Sequence, residues 1–189
     1  MTECCRFFFF MRHSIFLSLL LPVVVFLMAA CSPTYDWREV RGQDAPYMAM
    51  MPGKPSSHTR SVNLNGLEVS MTLTAAEVED VVFAVGSAQL SDPGQAAFAL
   101  QAMKTALVNN ISGTVRSEKQ LPPVGQPPLP VLQLEAVGTP AATSERTPHL
   151  LMARLFAKDQ HIYQVLVLGP EAKVVRDEAE TFFAGFKVN

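Results

Sequence analysis

Apolar and polar residues alternate through most of this chain, and turn residues break the alternation into short runs, the pattern of half-buried strands. Tyr47–Met51 is an apolar run closed by Pro52-Gly53. Arg60–Leu64 and Leu67–Leu73 flank Asn65-Gly66, a pair that accepts positive φ and so predicts a two-residue hairpin. Val81–Gln89 is a further β-rich run. Ser91-Asp92-Pro93 then supplies a helix cap followed by proline at the first helical position. Behind it, Ala96, Ala99, Leu100, Met103, Leu107 and Ile111 recur at helical spacing, predicting a helix over Pro93–Asn110 with Gly113 just beyond its end. Thr114–Lys119 and Val131–Val137 read as strands on either side of Leu121–Pro130. That segment is too rich in proline for a central ladder and is expected as an exposed polyproline-like loop.

The last third carries the strongest pattern. Leu150–Ala157 and Ile162–Leu168 predict a hairpin about Asp159-Gln160. Leu151, Leu155, Leu166 and Leu168 fall on one face, and Met152, Phe156, Tyr163 and Val165 on the other. A strand pair apolar on both faces belongs in the middle of a covered sheet. After Gly169-Pro170, the stripe Val175, Ala179, Phe182, Phe183 and Phe186 predicts a second helix over Glu171–Ala184. Strands then helix, twice over, give an α+β class: a mainly antiparallel sheet of about five to six strands packed with two main helices. Its core should hold Leu100, Met103, Leu107, Leu155, Tyr163, Val165, Val167, Phe182 and Phe186. The domain expected from these runs is 47–189.

The first thirty residues follow another logic. Arg6, Arg12 and His13 precede Ser14–Ala30, an uncharged apolar run at the lower limit for a membrane span, closed by small residues as in a signal peptide. The odd Phe7–Phe10 run before Met11-Arg12-His13 leaves the start at Met1 or at Met11 open. Leu27-Met28-Ala29-Ala30-Cys31 resembles a bacterial lipobox, with apolar Met28 where a branched aliphatic residue is usual. Residues 1–30 are therefore expected as a signal peptide and Cys31 as the lipidated mature N-terminus. An uncleaved anchor helix is the rival reading. Ser32 after the cysteine, rather than Asp, points to the outer membrane. Residues 31–46, with Ser32-Pro33, Gly42 and Ala45-Pro46, read as a tether. Tyr35 and Trp37 either rest at headgroup level or pack on the domain's flank.

The domain also resembles a family. Met51-Pro52-Gly53-Lys54-Pro55 closes its first strand, and Arg154-Leu155-Phe156, Ile162–Pro170 and Phe182–Phe186 form its last part. Together these are similar to the PsbP/DcrB-like α/β/α sandwich, which includes bacterial lipoproteins and a Ran-binding nuclear-import factor. The resemblance covers Tyr47–Asn189. It implies the sandwich fold and no shared catalytic residues.

Composition narrows the function. The chain has 189 residues and a formal charge of −2, and without residues 1–30 the charge is −3. A slightly acidic domain with no basic stripe argues against nucleic acid as a partner. Beyond Cys31 the only cysteines are Cys4 and Cys5, so the domain has no disulfide and no CxxC. Val85-Gly86-Ser87-Ala88-Gln89 lacks the second glycine of a nucleophile elbow. His149 and His161 should lie at opposite ends of the last hairpin, too far apart to share a metal, and no HxH or HExxH spacing brings in His58. Met48, Met50 and Met51 suit Cu(I) by softness but read as core fillers on their strand. Glu77, Glu79 and Asp80 read as a solvated turn, and Asp177, Glu178 and Glu180 as the wet face of the second helix. No catalytic, cofactor or metal residues are thus expected, and Cys31 is the one site residue. The leading expectation is a lipid-anchored, periplasm-facing, non-catalytic binding or assembly module with an envelope protein as partner, the Pro-rich segment being one possible handle. The alternative is a small-ligand carrier or enzyme whose site forms only in three dimensions, for example around Arg154, Tyr163 and His149.

Overall fold

The Asn65-Gly66 turn behaves as its chemistry requires. Both residues take positive φ, 54° and 97°, and the Gly66 N–H donates to Asn63 Oδ1 at 2.7 Å. The structure, a computed structural model, describes residues 34–124, 129–140 and 147–188, and Cys31 with the signal-peptide segment lies outside the described residues. The turn joins β3 (Ser56–Leu64) to β4 (Leu67–Val78), which runs on into β5 (Val81–Gln89) through Glu79-Asp80. After the first helix, β6 (Thr114–Val124), β7 (Leu129–Gly138), β8 (His149–Lys158) and β9 (His161–Pro170) form a second antiparallel meander. The two meanders meet where β5 pairs with β9, giving one seven-stranded sheet of order β3-β4-β5-β9-β8-β7-β6. A separate three-stranded sheet comprises β1 (Arg38–Arg41), β2 (Tyr47–Met51) and β10 (Lys187–Val188).

The doubly apolar β8–β9 hairpin is central and covered on both faces. On one face, Leu151, Ala153, Leu155 and Leu166 are buried under helix α1 (Ala96–Asn110) with its Ala99 and Met103. On the other, Met152, Phe156, Tyr163, Val165 and Val167 are buried under helix α2 (Arg176–Ala184) and β2, whose Ala179, Phe182, Tyr47 and Met51 complete the core. Of the residues expected in the core, Leu100, Leu107 and Phe186 are partly buried and pack against it. Asp92 caps the turn Pro93–Gln95 ahead of α1, accepting from the Gly94 N–H at 2.8 Å. At the other end the left-handed residue is Ser112 (φ 48°), with Gly113 N–H donating to Val108 at 2.9 Å.

Several expectations need correction. The main sheet has seven strands rather than five or six, and the small sheet adds three. The domain takes in residues assigned to the tether: Arg38–Arg41 pairs antiparallel with β2, and Tyr35 and Trp37 set their rings edge-on to Phe83 at 6.2 and 6.4 Å. Four alternating residues with both arginines exposed carry too weak a pattern to read as a strand, and burial of the two rings supplies what the pattern lacks. The second helix begins at Arg176 instead of Glu171, because Lys173 N–H closes a turn onto Pro170 and Val175 is extended (φ −83°, ψ 112°). Of the Pro-rich segment, Leu121–Val124 and Leu129-Pro130 extend β6 and β7. β6 is an edge strand whose register shifts between Leu121 and Val124, so Pro122 and Pro123 sit where the ladder is already interrupted. The central residues 125–128 of that segment lie outside the described residues. Met51 is a core filler, but Met48 and Met50 sit half-buried on the outer face of β2.

Candidate functional site

A groove opens on the α2 side of the sheet, where β10 and the end of α2 stand off from β6, β7 and β8. It has a volume of about 490 Å³. Its walls are apolar: Val131, Phe156 and Val165 come from the sheet, and Phe183, Phe186 and Val188 from the opposite side, with Leu121 at the open end. Strand alternation puts them there, because Leu121, Val131, Phe156 and Tyr163 follow one another across β6, β7, β8 and β9 in a single row.

Two cations line the same groove, Arg154 and Lys187. Arg154, one row along from Phe156, is held from three sides. Its Nη2 donates to Glu180 Oε2 at 2.7 Å, its Nε reaches Gln133 Oε1 at 3.4 Å, and its guanidinium lies 4.6 Å from the centre of the Phe183 ring. Arg154 thereby clamps α2 to the sheet. A second clamp joins Arg176 of α2 to Glu135 of β7 through two hydrogen bonds of 3.0 and 2.9 Å. The hydrogen bonds from Arg176 hold the Glu135 carboxyl below the usual carboxylate range. Lys187 is exposed and has no ion-pair partner among the described residues.

The three residues considered for a hidden site do not converge. Tyr163 is fully buried beneath the groove floor, stacked on Phe156 at 5.3 Å. Its hydroxyl has no hydrogen-bond partner among the described residues, and burial pushes its pKa up to about 12. His149 stands five residues from Arg154 on β8, so alternation turns it to the opposite sheet face, where Nδ1 contacts the Thr147 carbonyl oxygen at 2.9 Å. His161 pairs with Lys158 at the other end of the hairpin. Ser87 is buried mid-strand between Thr72 and Tyr163, the reverse of an exposed elbow. Glu79 and Asp80 occupy left-handed positions in the β4–β5 turn, and Asp80 accepts a hydrogen bond from Lys173. No group of three or more candidate metal ligands occurs among the described residues.

Phe186 was legible as part of the last helical stripe, although it lies past the helix end. Lys187 and Val188 were not, since two residues carry no periodicity. Their strand forms only because β2 offers Tyr47 and Met48 as partners.

No protein-family model and no curated protein matches the chain. Among solved structures, it is similar to cyanobacterial PsbP (CyanoP) from Synechocystis sp. PCC 6803, with a TM-score of 0.52 at 12% identity over 85% of this chain and 96% of that one. A protein of unknown function from Pseudomonas aeruginosa gives a TM-score of 0.38 at 11% identity, over 78% of this chain and 92% of that one. At such identities a likeness speaks of backbone arrangement alone. The chain has a PsbP-like α+β fold, a large antiparallel sheet with a helix on each face.

Proposed function

We propose that this chain is a non-catalytic binding module, held at the bacterial cell envelope by a lipid on Cys31 and presented to the periplasm. The observation that supports binding is the groove, a preformed apolar concavity of about 490 Å³ whose polar neighbours Arg154, Glu180 and Gln133 are engaged in fixing α2. That volume lies within the roughly 300–1,000 Å³ usual for ligand sites. The anchor is supported by the Leu27–Cys31 sequence and by the uncharged run before it.

A photo-crosslinking residue placed at exposed Ala184, on the groove rim, should capture a defined envelope component in cells. The same residue at exposed Ala97, on α1 across the sheet, should not. Equal capture at both positions refutes the groove as the binding surface. Mass spectrometry of the membrane-extracted protein should show an acylated Cys31 at its N-terminus, and an intact Met1 or Met11 terminus refutes the anchor.

A further inference from the structure

The groove is apolar along its length and positive at its mouth. Beside Arg154 and Lys187, the strand register sets Lys119 opposite Gln133, in the same row and on the same sheet face as Arg154. Lys119, like Lys187, is exposed and has no ion-pair partner among the described residues. On the same face stand two carboxylates, Glu180 and Glu135, held by Arg154 and Arg176, which leaves Lys119 and Lys187 in excess. The excess of positive charge stands out in a chain whose formal charge is −2. A purely apolar occupant would leave that excess uncompensated, and a hydrophilic anion would leave the Phe156, Phe183 and Phe186 surfaces wet. Both demands are met by one molecule with an apolar chain and an anionic end.

We propose that the groove holds the acyl chain of a single-chain carboxylate amphiphile, with the carboxylate at the mouth between Lys187, Lys119 and the outer edge of Arg154. This rests on the reading of the groove as the binding site and names its ligand. The chain lies against Val131, Phe156, Val165, Phe183 and Val188, and each methylene buried there strengthens binding about fourfold. The headgroup stays near water, so the charge contribution weakens as salt is raised.

The test uses the full chain in zwitterionic membranes and two photoreactive probes, a diazirine-bearing dodecanoate and the matching dodecanol, with labelled positions mapped by mass spectrometry. The dodecanoate probe should label the Phe183–Val188 segment saturably. Unlabelled dodecanoate should compete at concentrations at least tenfold below those needed for dodecanol. Ala184→Trp, at an exposed rim position, should cut labelling at least fivefold by filling the groove, and Lys187→Glu should cut it at least threefold, with urea midpoints unchanged in both. Equal labelling by the alcohol and the acid overturns the carboxylate assignment and leaves the groove reading standing. Labelling of this segment by neither probe overturns both. Labelling that does not saturate and survives Ala184→Trp reports partition from the membrane and also overturns the proposal.

Discussion

Replacing Tyr163 with phenylalanine removes a single oxygen from the middle of the sheet and should make the protein more stable. The side chain is fully buried, stacked on Phe156 and edge-on to Tyr47 at 6.2 Å, and its hydroxyl finds no partner among the described residues. An unpaired buried hydroxyl costs about 1–3 kcal/mol, so its removal should raise stability by roughly 1 kcal/mol at neutral pH once the small void is allowed for. The effect should grow in alkali. Burial raises the Tyr163 pKa from 10.0 to about 12, and below pH 10 both folded and unfolded states keep the proton. Between pH 10 and 12 the unfolded chain ionises while the folded one does not, so the wild type loses stability that the phenylalanine variant keeps. At about 1.4 kcal/mol per pH unit, the upper bound on that extra loss is roughly 2.7 kcal/mol. Urea unfolding at neutral pH and in steps above pH 10 reads both terms, with fluorescence of Trp37, the one tryptophan, and far-ultraviolet circular dichroism as probes. A variant less stable than wild type by more than about 1 kcal/mol at neutral pH would refute the reasoning, since the hydroxyl would then have a bonding partner. So would identical alkaline slopes.

Three other substitutions probe different parts of the fold. Phe182→Ala empties a fully buried site edge-on to Phe83 at 5.5 Å and should cost about 3–5 kcal/mol by urea unfolding. Gly138→Ala would set a methyl 2.1 Å from the Ile111 carbonyl oxygen and 2.5 Å from Gly113 Cα; because these are backbone atoms, the variant should lose at least about 2 kcal/mol or fold with a displaced α1–β6 turn, visible as amide shifts there. Arg176→Ala removes the partner that lowers the Glu135 pKa. That stabilisation exists above the ordinary carboxylate range and vanishes as pH falls through the folded value. The variant should therefore be less stable by under about 1 kcal/mol at neutral pH, with the gap closing as pH falls below the ordinary carboxylate range, and a constant gap across an acid titration would contradict the assignment.

The sheet was legible because its strands carry their own signals. Val81–Gln89 and Tyr47–Met51 were read residue for residue, and the Asn65-Gly66 and Asp159-Gln160 turns fixed two hairpins. What escaped was mainly what depends on a distant partner. β10 is two residues long and exists through pairing with the remote β2, so no window of sequence contains its cause. β1, by contrast, lies next to β2 but is four mostly exposed residues with too little pattern to read. The Leu121–Val124 extension of β6 was hidden by the general rule against proline in strands, which edge strands with a bulge escape. The groove was hidden for the same kind of reason. Phe156 and Phe183 were recognised as apolar faces, but whether two apolar faces close on each other or leave a gap depends on where α2 and β10 dock. Arg154 was named with Tyr163 and His149 as an example of a site formed only in three dimensions, and the structure shows it fixing a helix instead of converging with them.

The seam between β5 and β9 has a consequence for how the chain reaches its native state. Every other neighbouring pair in the large sheet joins strands consecutive in sequence, so the β3-β4-β5 and β6-β7-β8-β9 meanders can each form through contacts that are cheap to close. β5 and β9 must find each other across more than seventy residues, with Gln89 and His161 the nearest pair in sequence. Joining the two halves there is the expected slow step of folding, and the rate should fall when the seam is weakened at Val85 or Val165, paired opposite each other at its centre. By the same logic, amide protons of β5 and β9 should exchange only by global unfolding, while those of the edge strands β3 and β6 exchange earlier through local opening.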